Sequence, residues 1–193
     1  MKYILMGSAG FLLMHLLDLA SMKKMPFLKP ILSFCGTALI AISLVMVAVT
    51  GVKFGLSGWM SMAGWIVFMV SISLMAYSLY FALPAGDTYI KSGTSGQLVT
   101  RGIYALVRHP WLLFFALSMA GLVIGSRSVL AFQAGLAWTI LSLVLVYLQD
   151  RKIFPRMFSG YSEYRKTTPM LLPNQKSVTA FIEGLKQNKV PEV

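Results

Sequence analysis

The sequence predicts an all-α integral membrane bundle, and three observations carry that prediction. Hydrophobic residue types make up 57% of the 193 residues and charged types only 12%, about half the charged share of an ordinary soluble domain. The mean hydropathy is +0.73. The apolar residues fall in long continuous runs rather than in the alternating pattern of a membrane β-barrel. Together these exclude a water-soluble globule, a disordered tail and a secreted disulfide scaffold. The single cysteine, Cys35, excludes an internal disulfide and a multi-cysteine metal site, and no metal is expected. In its charge-free run it reads as a small apolar residue.

Five runs approach the roughly 20 residues that a bilayer-spanning helix needs. The first covers about residues 3–20, with His15 and Asp18 near its end. Lys23 and Lys24 follow at once, a flank that suits a retained span better than a cleaved signal peptide. His15 and Asp18, three apart, suggest a polar contact between helices, with a proton path as the alternative. The second and third spans, about 31–50 and 59–83, carry no charge. The fourth, about 111–125, is short, and the fifth covers about 129–148. Between these last two stands only Ser126-Arg127-Ser128. So short a link makes spans four and five an antiparallel hairpin. The chain reads as one domain: a three-span part (1–83), a polar loop, hairpin and following segment (84–173), and a tail (174–193).

The formal net charge of +11 and pI near 10.0 would suggest nucleic acid in a soluble protein. Threading the basic residues onto five spans gives a different reading. Fourteen of the 17 Lys and Arg fall on one side, leaving only Lys2, Lys53 and Arg127 on the other. The positive-inside rule then places the N-terminus outside and the C-terminus in the cytoplasm, as for a multi-pass protein of a bacterial inner membrane. The expected partners are the bilayer and its lipids, and no nucleic acid. Oligomeric state is not legible.

Two polar segments remain. Residues 84–110 begin with a Gly-, Ser- and Thr-rich stretch, Lys91-Ser92-Gly93-Thr94-Ser95-Gly96, and end in Gly102-Ile103-Tyr104 and Arg108-His109-Pro110. The second segment runs from Gln149 to the end. In its tail, Val178, Phe181, Ile182 and Leu185 recur at helical spacing, which fits a short interfacial helix or a frayed end. No phosphate-cradling glycine loop is present.

The ordered set Gly102-x-Tyr104, Arg108-His109-Pro110, an apolar hairpin, Gln149-Asp150, Tyr161-x-x-Tyr164 and Pro169 resembles the signature of the isoprenylcysteine carboxyl methyltransferase and phospholipid methyltransferase superfamily. The resemblance covers about residues 96–173. Two departures stand out. The family usually has His-Pro-x-Tyr, against His109-Pro110-Trp111-Leu112, and Glu-Glu, against Gln149-Asp150.

The resemblance implies an S-adenosylmethionine-dependent methyltransferase with a lipophilic acceptor: a lipid amine, a prenylated thiol or carboxylate, or a small apolar thiol. The cofactor's carboxylate needs a cation, its ammonium an acceptor and its adenine an apolar slot. Arg108 and His109 suit the first requirement. Gln149 and Asp150 suit the ammonium or the ribose. Tyr104 and Trp111, with Pro110 and the pair Tyr161 and Tyr164, suit the slot. His109 and Asp150 are the catalytic candidates, able to take a proton from the acceptor. Plainer roles exist for each: Arg108, Tyr161 and Tyr164 as interfacial anchors, Pro110 as a first-turn helix proline, Asp150 as a span-end acid. A membrane reductase using NADPH on a sterol-like substrate shares the same C-terminal motif. A non-catalytic membrane protein that keeps the fold is the third reading.

Overall fold

The computed structural model describes residues 1–23, 25, 27–83 and 98–187. The Lys91 to Gly96 stretch and Asp87 therefore lie outside the described residues, as does the side chain of Asp18. Five apolar helices form the body: α1 (Lys2–Met22), α2 (Leu28–Val49), α3 (Gly58–Ala76), α5 (Pro110–Ser126) and α6 (Val129–Leu148). Short helices complete it: α4 (Ile103–Leu106), α7 (Phe154–Met157), α8 (Tyr161–Thr167) and α9 (Gln175–Gln187). The helices match the five runs read from the sequence to within a few residues. Three of them, extended as Leu28–Val49, Gly58–Phe81 and Val129–Met157, are long and apolar enough to cross a membrane. Lys2–Leu17 and Pro110–Ser126 are shorter apolar stretches.

The helices pack in two tight pairs, α1 with α2 and α3 with α5, and α6 joins both. Glycine makes each pairing close. A Cβ built at Gly64 would stand 2.4 Å from the Gly125 backbone nitrogen, and one at Gly121 2.5 Å from that of Phe68. Backbones this near each other replace the missing hydrophobic drive between helices in lipid with dispersion contacts. Trp138 of α6 is fully buried against Gly7, and its Nε1–H donates to the Ile4 carbonyl of α1 at 3.0 Å. Outward faces remain greasy: Phe34, Val45, Ile66, Met69, Phe132 and Ile140 are all exposed. Acyl chains are the solvent that tolerates such a surface. Exposed Trp59 lies at one end of the bundle and Tyr77, Tyr80 and Tyr147 at the other, as expected of aromatic belts.

The α5–α6 hairpin is fixed at its turn. Arg127 ends α5 in the left-handed region (φ 55°). Ser128 caps α6, its Oγ accepting from Ala131 N–H and donating to the Val47 carbonyl of α2 at 2.7 Å. The segment after α2 is tied to the same turn through Val129 N–H to Val52 O (3.0 Å) and Phe54 N–H to Arg127 O (2.9 Å).

At the opposite end, two helices relax into π-helical turns, Tyr77–Phe81 after α3 and Gln149–Ile153 after α6. A π-turn shifts the register of side chains around a helix and often marks a functional site. Here it carries Gln149 and Asp150 into the interior, 7% and 1% exposed.

Candidate functional site

The site is assembled where α5 begins and α6 ends. Gly102 adopts φ 60°, a conformation natural to glycine, and so allows α4 to start beside the bundle. Tyr104 then reaches the π-turn after α3, its Oη donating to the Ser78 carbonyl at 2.8 Å. Pro110 occupies the first turn of α5, where its missing N–H costs nothing. The strand-like stretch before it is held from outside: Arg108 N–H donates to Pro169 O (3.0 Å) and His109 N–H to Met170 O (3.2 Å). The Arg-His-Pro element is therefore clamped by the chain that follows the two tyrosines.

Asp150 is the hub. Its Oδ1 accepts from Arg108 Nε at 2.7 Å and its Oδ2 from Arg108 Nη2 at 2.9 Å, a bidentate pair. Tyr161 Oη donates to Oδ1 at 2.7 Å. His109 Nε2 stands 3.5 Å from Oδ1, and Arg165 Nε 3.8 Å from Oδ2. Arg108 Nη1 also donates to the carbonyls of Thr168 and Arg165. Four of the five guanidinium N–H groups are thus committed. Tyr164 closes the cluster, donating to the Tyr104 carbonyl at 2.5 Å.

His109 is 2% exposed and stacks on Phe154, centroids 5.6 Å apart and planes at 17°. Burial is the main cause that lowers its pKa below the ordinary histidine value, and the Arg108 charge lowers it too, against an opposing pull from Asp150. The imidazole is therefore neutral at pH 7, and its Nε2 is a buried nitrogen with no hydrogen-bond partner among the described residues. Burial likewise raises the Tyr104, Tyr161 and Tyr164 hydroxyls well above the usual phenol range.

These groups face a cavity of about 560 Å³, within the range of small-molecule sites. Tyr104, Arg108, His109, Gln149, Tyr161 and Tyr164 line its polar end. Its other walls are mainly apolar, with Phe11 and Met14 of α1, Ile40 and Leu44 of α2, Ile72 and Met75 of α3, Phe115 and Met119 of α5, and with Ser33, Thr37 and Ser118 among them. From Trp111 to Met119 the lining climbs about 12 Å along α5 at 1.5 Å per residue.

Seven of the nine residues expected from the sequence line this cavity; Asp150 is bonded to two of them, Arg108 and Tyr161, and Pro110 opens α5 between His109 and Trp111. Arg108, which suits the cofactor's carboxylate, and Asp150, which suits its ammonium or ribose, are bonded to each other. Asp150 does not reach the cavity wall. Three residues were missed. His15 lines the cavity, its Nδ1 3.0 Å from Gln149 Nε2. Phe154 backs His109, and Arg165 flanks Asp150. His15 is visible as a span-end histidine, but its partner is Gln149 of the π-turn after α6, 134 residues away in sequence. The Phe154 and Arg165 roles left no local pattern.

The donor set fits a molecule such as S-adenosylmethionine. The fifth N–H of Arg108 and the unpartnered His109 Nε2 can meet polar groups, while Trp111 and the tyrosine rings offer aromatic faces.

The phospholipid methyltransferase family model matches residues 59–159. The match takes in all but the first residue of α3, all of α5 and α6, and Tyr104, Arg108, His109, Gln149 and Asp150; Tyr161, Tyr164 and Arg165 lie beyond it. Among curated proteins, the methanethiol S-methyltransferase 1 of Bradyrhizobium diazoefficiens is 27% identical over 120 residues, covering 61% of this chain and 41% of its own length. The chain thus spans less than half of that relative. No solved structure matches. With just over half of its length matched, the chain belongs to the phospholipid methyltransferase family.

Proposed function

We propose that this member of the phospholipid methyltransferase family moves a methyl group from S-adenosylmethionine to a lipophilic acceptor at the cytoplasmic face of the membrane. One observation carries the reading: a single cavity joins an apolar shaft between the helices to a polar end built from the family's motif residues. A chamber of that kind lets a greasy acceptor and a polar donor meet. The fourteen-to-three distribution of basic residues supports a cytoplasmic polar end.

The donor supplies an activated methyl group when bound. The protein's share is alignment and exclusion of water. Arg108, through its remaining N–H, and His109 would take the carboxylate. Gln149 would face the ammonium or ribose. Tyr104, Trp111, Tyr161 and Tyr164 would wall the adenine. Asp150 acts from behind the wall, fixing Arg108 and Tyr161, so it is a positioning residue. By its name, the Bradyrhizobium relative acts on methanethiol. A small apolar thiol is the acceptor we favour, because the shaft that would receive it is walled mainly by apolar side chains.

Calorimetry of the purified protein tests the donor. Saturable binding of S-adenosylmethionine, weakened in His109→Ala, is expected. Binding of NADPH in its place would turn the reading to the reductase class.

A further inference from the structure

Among the described side chains, His15 is the one ionisable group that α1 contributes to the cavity, and it lies outside the residues matched to the family. Its place is distinctive. One turn earlier in α1, Phe11 begins the apolar wall, whereas Gln149 and Trp111 stand at the polar end. The His15 ring is 6.3 Å from the Trp111 ring and hydrogen-bonded to Gln149 through Nδ1 at 3.0 Å. It therefore occupies the boundary where an acceptor from the shaft would meet the donor.

A thiol has to lose its proton to be nucleophilic. Few lining groups can receive one. The tyrosines are not bases near neutrality, Arg108 is permanently charged, and Asp150 is off the wall. Among the described residues that leaves the two histidines. His109 sits in the Asp150 cluster at the donor's end, with Arg108 beside it.

We propose that His15 is the base that deprotonates the acceptor thiol, with Gln149 as its orienter. The inference rests on the methyltransferase reading above. With its carboxamide turned over from the orientation that places Nε2 against Nδ1, Gln149 accepts Nδ1–H through Oε1 and leaves the His15 Nε2 lone pair bare. His15 Nε2 takes the proton as the acceptor's S–H bond breaks. The acceptor sulfur forms its bond to the methyl carbon, and the methyl–sulfonium bond breaks with its electron pair staying on the departing thioether. The imidazolium, still donating Nδ1–H to Oε1, then returns its proton to water. Gln149, where the family usually has an acid, suits this task, since a neutral amide leaves the imidazole free to lose its proton again.

The test compares His15→Gln with the natural protein in nanodiscs, using S-adenosylmethionine and either hexanethiol or para-nitrothiophenol, a thiol already ionised at neutral pH. A base contributes about 100-fold or more. The variant is expected to lose about that much with hexanethiol and almost nothing with para-nitrothiophenol. Equal losses, or none with either thiol, overturn the proposal. Calorimetry separates the failures. If the natural protein does not bind S-adenosylmethionine, the methyltransferase reading falls and takes His15 with it. If both proteins bind it alike and the loss ignores the thiol, only the role of His15 falls. Should the variant not fold, nitrogen-15 spectra of the natural protein decide. The chain has two histidines, and His109→Asn identifies their signals. The His15 ring should shift on saturation with hexyl methyl sulfide, and an unmoved signal refutes its contact with the acceptor.

Discussion

Breaking the Arg108–Asp150 pair should be costly, while removing both partners should not be twice as costly. The two side chains are 8% and 2% exposed and joined by bonds of 2.7 and 2.9 Å. Asp150→Leu leaves a buried guanidinium with no counter-charge and a Tyr161 hydroxyl with no acceptor. Arg108→Leu leaves a buried carboxylate and unpaired carbonyls at Thr168 and Arg165. Losing one partner of a buried pair costs about 3–5 kcal/mol. The two single losses would sum to about 6–10 kcal/mol if the residues acted independently. In the double variant no charge is stranded, so its cost should stay near that of one single variant. The coupling should therefore reach about 3 kcal/mol. Unfolding by SDS in mixed micelles, followed by tryptophan fluorescence, gives the three differences. Additive losses within about 0.5 kcal/mol would refute the idea that Asp150 and Arg108 act as one unit.

Other consequences follow from single contacts. Gly121→Leu, whose side chain would enter the backbone of α3, should destabilise the bundle by about 3 kcal/mol or more in the same SDS assay, since overpacking a tight interface forces the helices apart. Trp138→Phe removes the bond to the Ile4 carbonyl and should cost about 1 kcal/mol beyond its loss of packing. Stability should also fall with acidity because of His109. Its folded pKa is depressed by burial, so below the ordinary value of about 6.5 the unfolded chain binds more protons and unfolding is favoured. The loss between pH 7.5 and 5 should be smaller in His109→Gln when unfolding is titrated at each pH.

Much of this molecule was legible beforehand because lipid imposes strict rules. Helices must satisfy their own backbone and must be apolar for a set length, so five runs gave five helices. The Ser126-Arg127-Ser128 link left the hairpin no alternative, and the hairpin brings Arg108 and Asp150 to one side. What they do there was not legible. An arginine and an aspartate near a cofactor motif read equally as two ligands or as one ion pair, and only three-dimensional placement decides. The π-turn that buries Gln149 and Asp150 has no local sequence signature. His15 reads as a polar contact between helices, and it meets Gln149 of the π-turn after α6; helical spacing does not encode which residue that packing brings to it.

The central claim is methyl transfer, and its most direct test is to follow the methyl group. Protein in nanodiscs supplied with S-adenosylmethionine labelled in the methyl carbon and with hexanethiol should transfer the label into an extractable thioether, with activity lost in His109→Ala. Label that stays in the donor for hexanethiol, for a prenylated thiol or carboxylate and for an aminophospholipid alike, in protein that is folded, would contradict the account.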